Sequence, residues 1–285
     1  MAIDLSKIKR SLNLSSLKLV MYGEEKVGKS TFCSQMPEPV FIDIEGGTNF
    51  LNINRINKEA LEIDEWNFTI ALDVLKDILT QEHTYKTLVI DSIDWLEGLV
   101  QEHIKNEHKG AKSYLDSKVA ALSYGGGTAF LQQYMRDFLG VLEEIRSKKK
   151  MHIILIAHTK KKSEQDVQGA SFDKSVLKLT EKSEGLCIEW ADFILFAKNK
   201  PCNVVENEGF TKRNRAVSEG NIIYTSKNPA FSGGGRLVLP EEIPLNWNDF
   251  NGALRVAIKE MLALAEPPKP EVKPEAKEPT TKIKD

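Results

Sequence analysis

The stretch GEEKVGKS, residues 23–30, has the residue types and spacing of a phosphate-binding loop, G-x-x-x-x-G-K-[ST]. Gly23 and Gly28 would let the backbone turn tightly enough for successive amides to face phosphate oxygens. Lys29 would bring a positive charge to the β- and γ-phosphates, and Ser30 would offer its hydroxyl to Mg²⁺. The predicted nucleotide contacts are nine consecutive residues: Gly23, Glu24, Glu25, Lys26, Val27, Gly28, Lys29, Ser30 and Thr31.

The context of this loop favours a ligand. It follows an apolar run that is typical of a buried strand, and it precedes a helix whose positive end would face the same anion. A glycine-rich turn without a ligand is the alternative. The sequence therefore predicts a bound nucleotide.

Asp91 is the predicted metal partner of Ser30. It ends the apolar run TLVID, and a carboxylate at a strand end beside the loop can hold Mg²⁺. Ser92 or Asp94 would also suit the start of a helix at this point. The two interpretations are compatible.

A second strand ends in FIDIE, with Asp43 and Glu45 predicted on one face by strand alternation. Glu45 is nearer the end and is the candidate for orienting the attacking water. A solvated strand end is the alternative. The letters DIEG also spell D-x-x-G, which GTPases use, but they begin only fourteen residues after Lys29 and no N-K-x-D follows. The predicted cofactors are therefore ATP and Mg²⁺.

His158 ends a further apolar run, ILIAH. A polar side chain at this strand end could hydrogen-bond the γ-phosphate and sense its presence. The alternative is a structural histidine.

The elements that would position these residues alternate between strand and helix. Apolar runs predict strands over 17–22, 39–44, 86–91 and 151–158, and the 3.6-residue period predicts helices over 71–80, 94–107, 129–148 and 249–265. Near-continuous apolar strands between helices indicate an α/β fold with a mostly parallel sheet flanked by helices. Strands predicted over 186–199 and 220–228, with short polar connections, favour an antiparallel C-terminal extension.

The composition of the chain limits the class of protein and the kinds of partner that can be expected. The chain has 285 residues, 41% hydrophobic and 28% charged, which is typical of a soluble globular protein. A net charge of -2 gives no global reason to expect nucleic acid or membrane. Cys33, Cys187 and Cys202 form no C-x-x-C pair, so we expect reduced thiols in a cytoplasmic protein and no zinc site. No apolar run is long enough for a membrane span.

We predict an N-terminal extension over 1–16, an ATPase core over 17–266 and a disordered Pro/Lys/Glu tail over 267–285.

Together these motifs resemble the RecA-like P-loop NTPase core, and more closely the phage-encoded RecA-like nucleotide-binding proteins, which include core-only single-strand annealing recombinases. The resemblance covers roughly residues 15–250. It rests on the phosphate loop and on four segments: FID-x-EGG (41–47), SYGGGTAF (123–130), IAH (156–158) and R-x-x-LPEE-x-PL (236–245). It implies the RecA-like fold and catalytic or sensor roles at Lys29, Glu45, Asp91 and His158.

The resemblance also implies a basic residue that a neighbouring subunit supplies to the ATP site, in a ring or filament of identical chains. Arg236 is the candidate, displayed after a flexible SGGG run, although the family's Lys-Asn-Arg pattern has lost its Lys here. Arg55, the nearest downstream arginine, lies in an irregular stretch and offers no obvious finger in cis. An ordinary surface arginine at 236 is the alternative.

Two lysine triplets flank the strand 151–158, at 148–150 and 160–162, and lie at opposite ends of it, ~23 Å apart. The second opens a polar segment, 159–184, where the resemblance implies a DNA-binding loop that is disordered without DNA. The candidate DNA contacts are Lys160, Lys161, Lys162, Lys174 and Lys178 for phosphates and Phe172 for a base, with Tyr124 in a second candidate segment. A solvated polar loop is the alternative.

The leading hypothesis is an ATP-dependent protein that binds single-stranded DNA in phage recombination or annealing, in the cytoplasm of the host. The second is a replication accessory protein, similar to a helicase loader, that acts through a single-stranded-DNA-binding protein or another replication protein. A small-molecule kinase ranks third, because a lid over phosphates should carry arginine and residues 103–127 carry none.

Overall fold

The computed structural model describes residues 16–107, 126–165, 171–208 and 211–265. The strands are β1 (Lys18–Gly23), β2 (Pro39–Asp43), β3 (Asn54–Ile56), β4 (Thr87–Asp91), β5 (His152–Gln165), β6 (Ser171–Leu177), β7 (Phe193–Glu208), β8 (Thr211–Tyr224), β9 (Gly234–Gly235) and β10 (Glu242–Pro244). The helices are α1 (Lys29–Ser34), α2 (Lys58–Leu61), α3 (Phe68–Thr80), α4 (Ile93–Glu107), α5 (Gly126–Lys149), α6 (Glu181–Trp190) and α7 (Trp247–Ala265). The predicted tail, nearly all of the predicted N-terminal extension and Tyr124 lie outside the described residues.

The main sheet has the strand order β10-β8-β7-β1-β5-β4-β2-β3. The strands from β7 to β3 run parallel, while β8 is antiparallel to β7 and β10 is antiparallel to β8. This confirms the predicted fold, a mostly parallel RecA-like sheet with an antiparallel C-terminal extension. Gly23 is in register with His158, and Asp43 with Asp91. The predicted site residues therefore meet at one edge of the sheet.

Helices cover both faces of the sheet, which explains why the central strands are apolar throughout. On one face, α3, α4, α5 and α6 pack over alternate strand residues such as Ile90 and Leu155. On the other, α1 and α7 pack over the intervening ones, such as Val89 and Ile154. The five residues of β4 are all buried. None of the helices in the described ranges combines the length and the apolar character needed to cross a membrane.

Local signals explain several helix boundaries. Helix α3 begins three residues before the predicted helix because the Asn67 side chain accepts from the Ile70 amide at 3.0 Å and caps it. Helix α1 has only six residues. Pro37 follows it closely and disfavours helical backbone at the preceding residue.

The described residues of the polar segment 159–184 form strands and the start of a helix, so the predicted loop was wrong for them. Strand β5 continues to Gln165 and pairs antiparallel with β6 through seven residue pairs, from Thr159↔Leu177 to Gln165↔Ser171. The alternating polar residues satisfy their backbone groups across the pair, as in a hairpin. We call β5 from Thr159 together with β6 the lysine hairpin.

The predicted strand over 186–199 was also wrong in its first half. Residues up to Trp190 belong to α6, and β7 begins only at Phe193. The helix start is fixed by Glu97, whose carboxylate accepts from the Thr180 amide at 3.0 Å and its hydroxyl at 2.7 Å. Two acidic side chains in the first turn suit the positive end of the helix.

A two-stranded ribbon extends the sheet in a region that the sequence left unassigned. The pairing of β7 with β1 ends where Ala197 meets Gly23, but β7 and β8 continue to pair from Pro201↔Ser218 to Glu208↔Thr211. We call residues 201–208 and 211–218 the ribbon. It passes beyond the edge of the sheet at which the phosphate loop lies.

Candidate nucleotide site

The predicted phosphate loop joins the end of β1 to the start of α1. Its two fixed positions, 23 and 28, require glycine for different structural reasons. A Cβ on Gly23 would lie 2.0 Å from the Ala197 carbonyl oxygen, so a side chain is excluded where β1 packs on β7. Gly28 precedes α1 with φ 108° and ψ 19°, a left-handed backbone that glycine adopts without strain. The loop therefore requires both glycines for its shape.

The C-terminal extension holds this loop in place. The Asn221 side-chain amide of β8 donates to the Val27 carbonyl at 2.7 Å. The Leu245 amide donates to the Asn221 carbonyl at 2.9 Å, and a Leu245 methyl lies 3.4 Å from the position of a Cβ on Gly28. Sequence reasoning missed Asn221, because nothing local to it signals a contact 194 residues away.

Lys29 folds back onto the loop. Its ammonium donates to the Gly23 carbonyl at 3.1 Å and to the Glu24 carbonyl at 2.8 Å. Burial lowers the pKa of Lys29, while the nearby carboxylates of Asp91, Asp94, Glu45 and Glu25 act in the opposite direction. The charge is thus held inside the loop, surrounded by acidic groups that balance it.

Ser30 and Asp91 form the candidate Mg²⁺ site. The Ser30 hydroxyl donates to Asp91 Oδ2 at 2.7 Å, so the two oxygens that would bind the metal are already together. Burial raises the pKa of Asp91 to about 6, against the lowering effect of the Ser30 hydrogen bond. Among the described residues there is no group of three or more His, Cys, Asp or Glu that could hold a metal. Mg²⁺ takes few protein ligands and completes its shell with phosphate oxygens and water, so Ser30 and Asp91 would be the protein ligands of such an ion.

Strand alternation, on which the prediction for Asp43 and Glu45 rested, does not extend to Glu45. Strand β2 ends at Asp43, and the amides of Ile44 and Glu45 both donate to the Asp91 carbonyl, at 2.9 and 3.2 Å, so the chain bends there. Asp43 is buried and accepts from the Gly46, Gly47 and Thr48 amides at 2.8, 3.2 and 3.3 Å and from the Thr48 hydroxyl at 2.5 Å. Asp43 therefore shapes the turn, and Glu45 is the carboxylate that lines the nucleotide cleft.

His158 is oriented by Asp94, which sequence reasoning considered only as a helix start. His158 Nδ1 donates to Asp94 Oδ2 at 2.9 Å, and Nε2 lies 3.6 Å from Glu45 Oε1. The hydrogen bond to Asp94 raises the pKa of His158, and burial opposes it. Although burial alone would raise the pKa of Asp94, its hydrogen bonds with His158 bring that pKa below the usual value. The ring is thus held with its second nitrogen toward the cleft.

These groups line a cleft of about 350 Å³. Its walls come from the loop, the strand ends and the turn after β2: Glu25, Lys26, Gly28, Lys29, Ser30, Thr31, Glu45, Gly47, Phe50, Leu51, Asp91, Ile156 and His158. Of the predicted nucleotide contacts, Gly23, Glu24 and Val27 do not line it. The size of the cleft and its mix of two lysines, hydroxyls and carboxylates suit the phosphates of a nucleotide with a divalent cation.

Phe50 is a second residue that the sequence did not single out. It is fully exposed, at 102%, at the rim of the cleft. Arg55 supports its loop by donating to Asn49 Oδ1 at 3.1 Å and to the Leu51 carbonyl at 2.5 Å. Arg55 itself lies in β3, not in an irregular stretch as predicted. A lone phenylalanine in a turn carries no pattern that would have revealed its position.

Comparison with known proteins agrees with this geometry. A family model described as an AAA domain matches residues 15–237. The chain belongs to this AAA domain family. Together with the strand order, the match shows an α/β P-loop NTPase of the RecA-like kind, a class that binds nucleotides, usually with Mg²⁺.

Two solved structures show looser similarity to this AAA domain chain. The flagellar accessory protein FlaH from Methanocaldococcus jannaschii is 13% identical, with a TM-score of 0.32 over 76% of this chain and 88% of that one. The RadB recombinase is 17% identical, with a TM-score of 0.38 over 72% of this chain and 80% of that one. A search of curated proteins found no significant match.

Arg236 lies at the edge of the AAA domain's sheet that is opposite the phosphate loop. Its amide donates to the Asp192 carbonyl at 3.0 Å, and its Nε lies 3.0 Å from Asp192 Oδ1. Asp192 also accepts from the Lys18 amide at 3.0 Å, at the start of β1, which is ~17 Å along the strand from Gly23. From this edge Arg236 is too far from the cleft of its own chain to reach it.

The SGGG run before Arg236 is packed, not flexible as predicted. A Cβ on Gly233 would lie 2.4 Å from the Ser226 carbonyl oxygen, and one on Gly235 would lie 2.2 Å from a ring carbon of Phe193. Gly234 and Gly235 form β9, which pairs with β7. The glycines permit close packing and hold Arg236 at a defined place.

The candidate DNA lysines divide between the two faces of the lysine hairpin. Cross-strand pairing places Lys162 opposite Lys174 and Glu164 opposite Phe172, and strand alternation adds Lys160 to this face. Lys161 pairs with Ser175 on the other face. The exposed Lys178 follows β6, and its amide donates to the His158 carbonyl at 2.9 Å.

Most of these lysines already have partners within the chain. Lys162 lies 2.9 Å from a Glu181 carboxylate oxygen, and Lys174 lies 3.5 Å from one of Glu164. Lys161 donates to the Ser175 hydroxyl at 2.9 Å. Lys160 donates to the Leu179 carbonyl. A nucleic acid that binds here must replace some of these contacts.

Proposed function

We propose that this chain binds ATP with Mg²⁺, hydrolyses it, and couples the nucleotide to single-stranded DNA in phage recombination or annealing. The observation that carries the proposal is the course of β5. This strand brings His158 to the nucleotide cleft and continues without a break into the lysine hairpin. A γ-phosphate at His158 and a DNA strand on the hairpin would therefore act on one rigid element.

In the nucleotide step, each side chain has a role that its position supports. Lys29 would neutralise the β- and γ-phosphates, and Ser30 with Asp91 would hold Mg²⁺. Glu45, at the edge of the cleft, would orient the attacking water, and His158 would contact the γ-phosphate. Thr31 and the loop amides would complete the phosphate contacts.

In the DNA step, the face with Lys160, Lys162, Lys174 and Phe172 offers three cations and one aromatic ring, as a single strand needs. The ion pairs of Lys162 and Lys174 oppose this only weakly. Both lie at or near the surface, where such pairs contribute ~0–1 kcal/mol each. A phosphate could replace the carboxylates at little cost.

The test is ATP hydrolysis by the full chain with and without single-stranded DNA. We expect DNA to stimulate hydrolysis by the wild type, and we expect Lys29→Ala to abolish ATP binding. Lys26→Ala, in the exposed part of the same loop, is the matched control and should still bind ATP. Unchanged ATP affinity in Lys29→Ala would overturn the assignment of the loop.

The salt dependence of binding tests the hairpin face. Replacing Lys162 and Lys174 together with Gln should lower the log–log salt slope by about 1.4, at roughly 0.7 per phosphate contact. Lys161→Gln, on the other face, should leave the slope unchanged. If the wild type fails to bind DNA at low salt with an ATP analogue and Mg²⁺, or if the slopes do not differ, the DNA step is wrong.

The second candidate is a nucleotide-dependent replication accessory protein that acts through protein partners. The ribbon favours it, since two strands beyond the main sheet offer backbone edges to which a partner strand can be added. The ion pairs of the lysine hairpin also favour this candidate, because lysines that already pair with carboxylates are less available to DNA phosphates. ATP hydrolysis that ignores DNA, together with nucleotide-dependent binding to a purified replicative helicase, would select this candidate.

A further inference from the structure

A cleft of about 410 Å³ opens beside the lysine hairpin, away from the nucleotide cleft. Its walls come from β6, α6, β7 and the turn over residues 227–233. The residues that matter most are Lys174, Ile188, Ile194, Lys227 and Phe231. Its volume is within the ~300–1,000 Å³ that small-molecule sites occupy.

We infer that this cleft takes one nucleotide of the bound strand, with the base against its apolar wall and the phosphate between Lys174 and Lys227. The inference rests on the proposed binding of single-stranded DNA. It adds a defined pocket outside the lysine hairpin, and Lys227, which contributes to this pocket, lies 53 residues after Lys174 in the chain.

The chemistry of the wall suits this ligand. Ile188 and Ile194 are half-buried, and the Phe231 ring packs against Tyr224 and Phe196 with ring centroids 4.7 and 5.0 Å away. The two lysines are the charged residues that line the cleft, and no carboxylate of the described residues lines it. A flat apolar body that carries a negative group, such as a nucleobase with its phosphate, is complementary to this surface.

The turn that carries Lys227 is ordered by contacts with the hairpin. The Ser175 amide of β6 donates to the Ala230 carbonyl at 2.7 Å, and the Ser232 amide donates to the Ser175 carbonyl at 3.2 Å. Asn228 Oδ1 accepts from the Ala230 amide at 2.9 Å. The exposed Lys227 is thus presented from a fixed backbone next to β6.

Lys174 connects this cleft to the face of the hairpin. It lies opposite Lys162 across the two strands and also lines the cleft. A strand that follows the phosphate contacts of Lys160 and Lys162 would reach Lys174 next, where the apolar wall begins. A DNA backbone that contacts these lysines in turn would arrive at the cleft, and one of its bases would then face Ile188 and Phe231.

The experiment uses the full chain with an ATP analogue, Mg²⁺ and a fluorescent single-stranded oligonucleotide. Lys227→Glu should weaken binding at least about fivefold, because loss of the phosphate contact would also unseat the base, and one stacked base contributes at least about that much. Lys227→Arg should bind like the wild type. The charge-matched control is Lys259→Glu, at an exposed lysine on α7 at the other face of the sheet. It should lower the oligonucleotide affinity only by the small amount that the change in net charge causes.

A second measurement is photo-crosslinking of an oligonucleotide with 5-iodouracil, followed by peptide mapping. We expect crosslinks within residues 226–233 that Lys227→Glu removes, while thermal unfolding and ATP-analogue binding of that variant stay unchanged. Suppose that the wild type binds DNA, that Lys227→Glu and Lys259→Glu have the same oligonucleotide affinity, and that the crosslinks map elsewhere. The cleft assignment is then wrong, and the DNA function stands. If the wild type binds no DNA, both are wrong.

A free nucleotide shares the chemistry of a base with a phosphate, so a third arm uses dTMP alone. We expect dTMP to compete only weakly with the oligonucleotide. Binding of dTMP as tight as that of the strand, and lost in Lys227→Glu, would overturn the assignment of the cleft to a DNA strand.

Discussion

His158 Nδ1 lies 2.9 Å from Asp94 Oδ2, and the His158 amide donates to Asp94 Oδ1 at 3.1 Å. One carboxylate thus holds both the backbone and the ring of the same residue. Because Asp94 lies in the first turn of α4, the ring at the end of β5 is set by a neighbouring element. The nucleotide would meet a ring whose direction is already fixed, with Nε2 toward Glu45.

Asp94→Asn should lower the pKa of His158, because it removes the negative partner that raises it. A raised histidine pKa contributes stability that is present below the unfolded pKa of 6.5 and lost as pH rises through the folded value. The variant should therefore lose more stability at pH 5.5 than at pH 8.5. The measurements are the NMR titration of His158 and thermal unfolding at the two pH values. Asp77→Asn, on the exposed face of α3, is the control, and an unchanged His158 titration in Asp94→Asn would contradict the prediction.

Glu45→Gln and Asp43→Asn should fail in different ways. Glu45→Gln should retain ATP affinity and lose ~10²- to 10⁴-fold in turnover, the usual range for an acid–base group. Asp43→Asn should mainly destabilise the fold, by about 1–3 kcal/mol, because a buried acceptor of several hydrogen bonds is altered. Turnover under saturating ATP and denaturant unfolding separate the two effects. Equal losses of turnover with equal stability would show that the two carboxylates were assigned wrongly.

Asp91→Asn should stabilise the protein in the absence of nucleotide at pH above about 6. The folded pKa of about 6 exceeds the ordinary 3.8, so the stability associated with the protonated carboxyl is present below pH 3.8 and is lost as pH rises through 6. The gain at pH 8 should reach at most about 3 kcal/mol and should vanish near pH 3.5. Denaturant unfolding across pH measures it. Stability curves of wild type and variant that run parallel would contradict the prediction.

The same carboxyl should make metal-dependent nucleotide binding sensitive to pH. Mg²⁺ needs the ionised group, so the gain in ATP-analogue affinity that Mg²⁺ provides should fall as pH drops below about 6. Asp91→Asn should show a small gain at every pH. Isothermal titration with and without Mg²⁺ tests this, with Asp77→Asn as the control that should titrate like the wild type.

Arg236 and Glu45 should complement each other between subunits. Arg236→Ala and Glu45→Gln should each be nearly inactive, and a mixture should recover part of the ATPase activity, because some interfaces would pair an intact Glu45 with an intact Arg236. Arg236→Ala should cost little stability, since its pair with Asp192 is largely exposed, at 65% for the arginine. If subunits are shown to exchange and no activity returns at any ratio, Arg236 is not the finger or the chain acts alone.

The sequence was informative where function is encoded by neighbouring residues. The loop from Gly23 to Ser30 and the apolar runs that end at Asp91 and His158 can be recognised locally. Parallel strands then bring their ends to one edge, which is why the site could be anticipated without contacts. The alternation rule failed at Glu45, because the backbone bends at Asp43 and no pattern in FIDIEGG marks the bend.

The contacts that depend on distant segments could not be predicted. Asn221 and Val27 are joined only by the arrangement of the whole sheet, and Asp94 reaches His158 across 64 positions. The lysine hairpin was missed because its polar alternation, KKKSEQ, lacks an apolar face. Backbone pairing and short cross-strand contacts stabilise it, as between Lys161 and Ser175, and these leave little trace in composition.

The AAA domain match ends at residue 237, but the packing that supports α1 does not. The Phe32 ring lies 6.0 Å from the Trp247 ring and 5.9 Å from the Phe250 ring, and Trp247 donates its amide to the Gln35 side chain at 3.0 Å. Suppose that a gene fusion kept all the motifs of the nucleotide site but replaced the chain after residue 237. The face of α1 that packs against Trp247 and Phe250 would then be exposed to solvent. The segment that must be inherited together therefore extends through α7, and a crossover should be tolerated only after this helix.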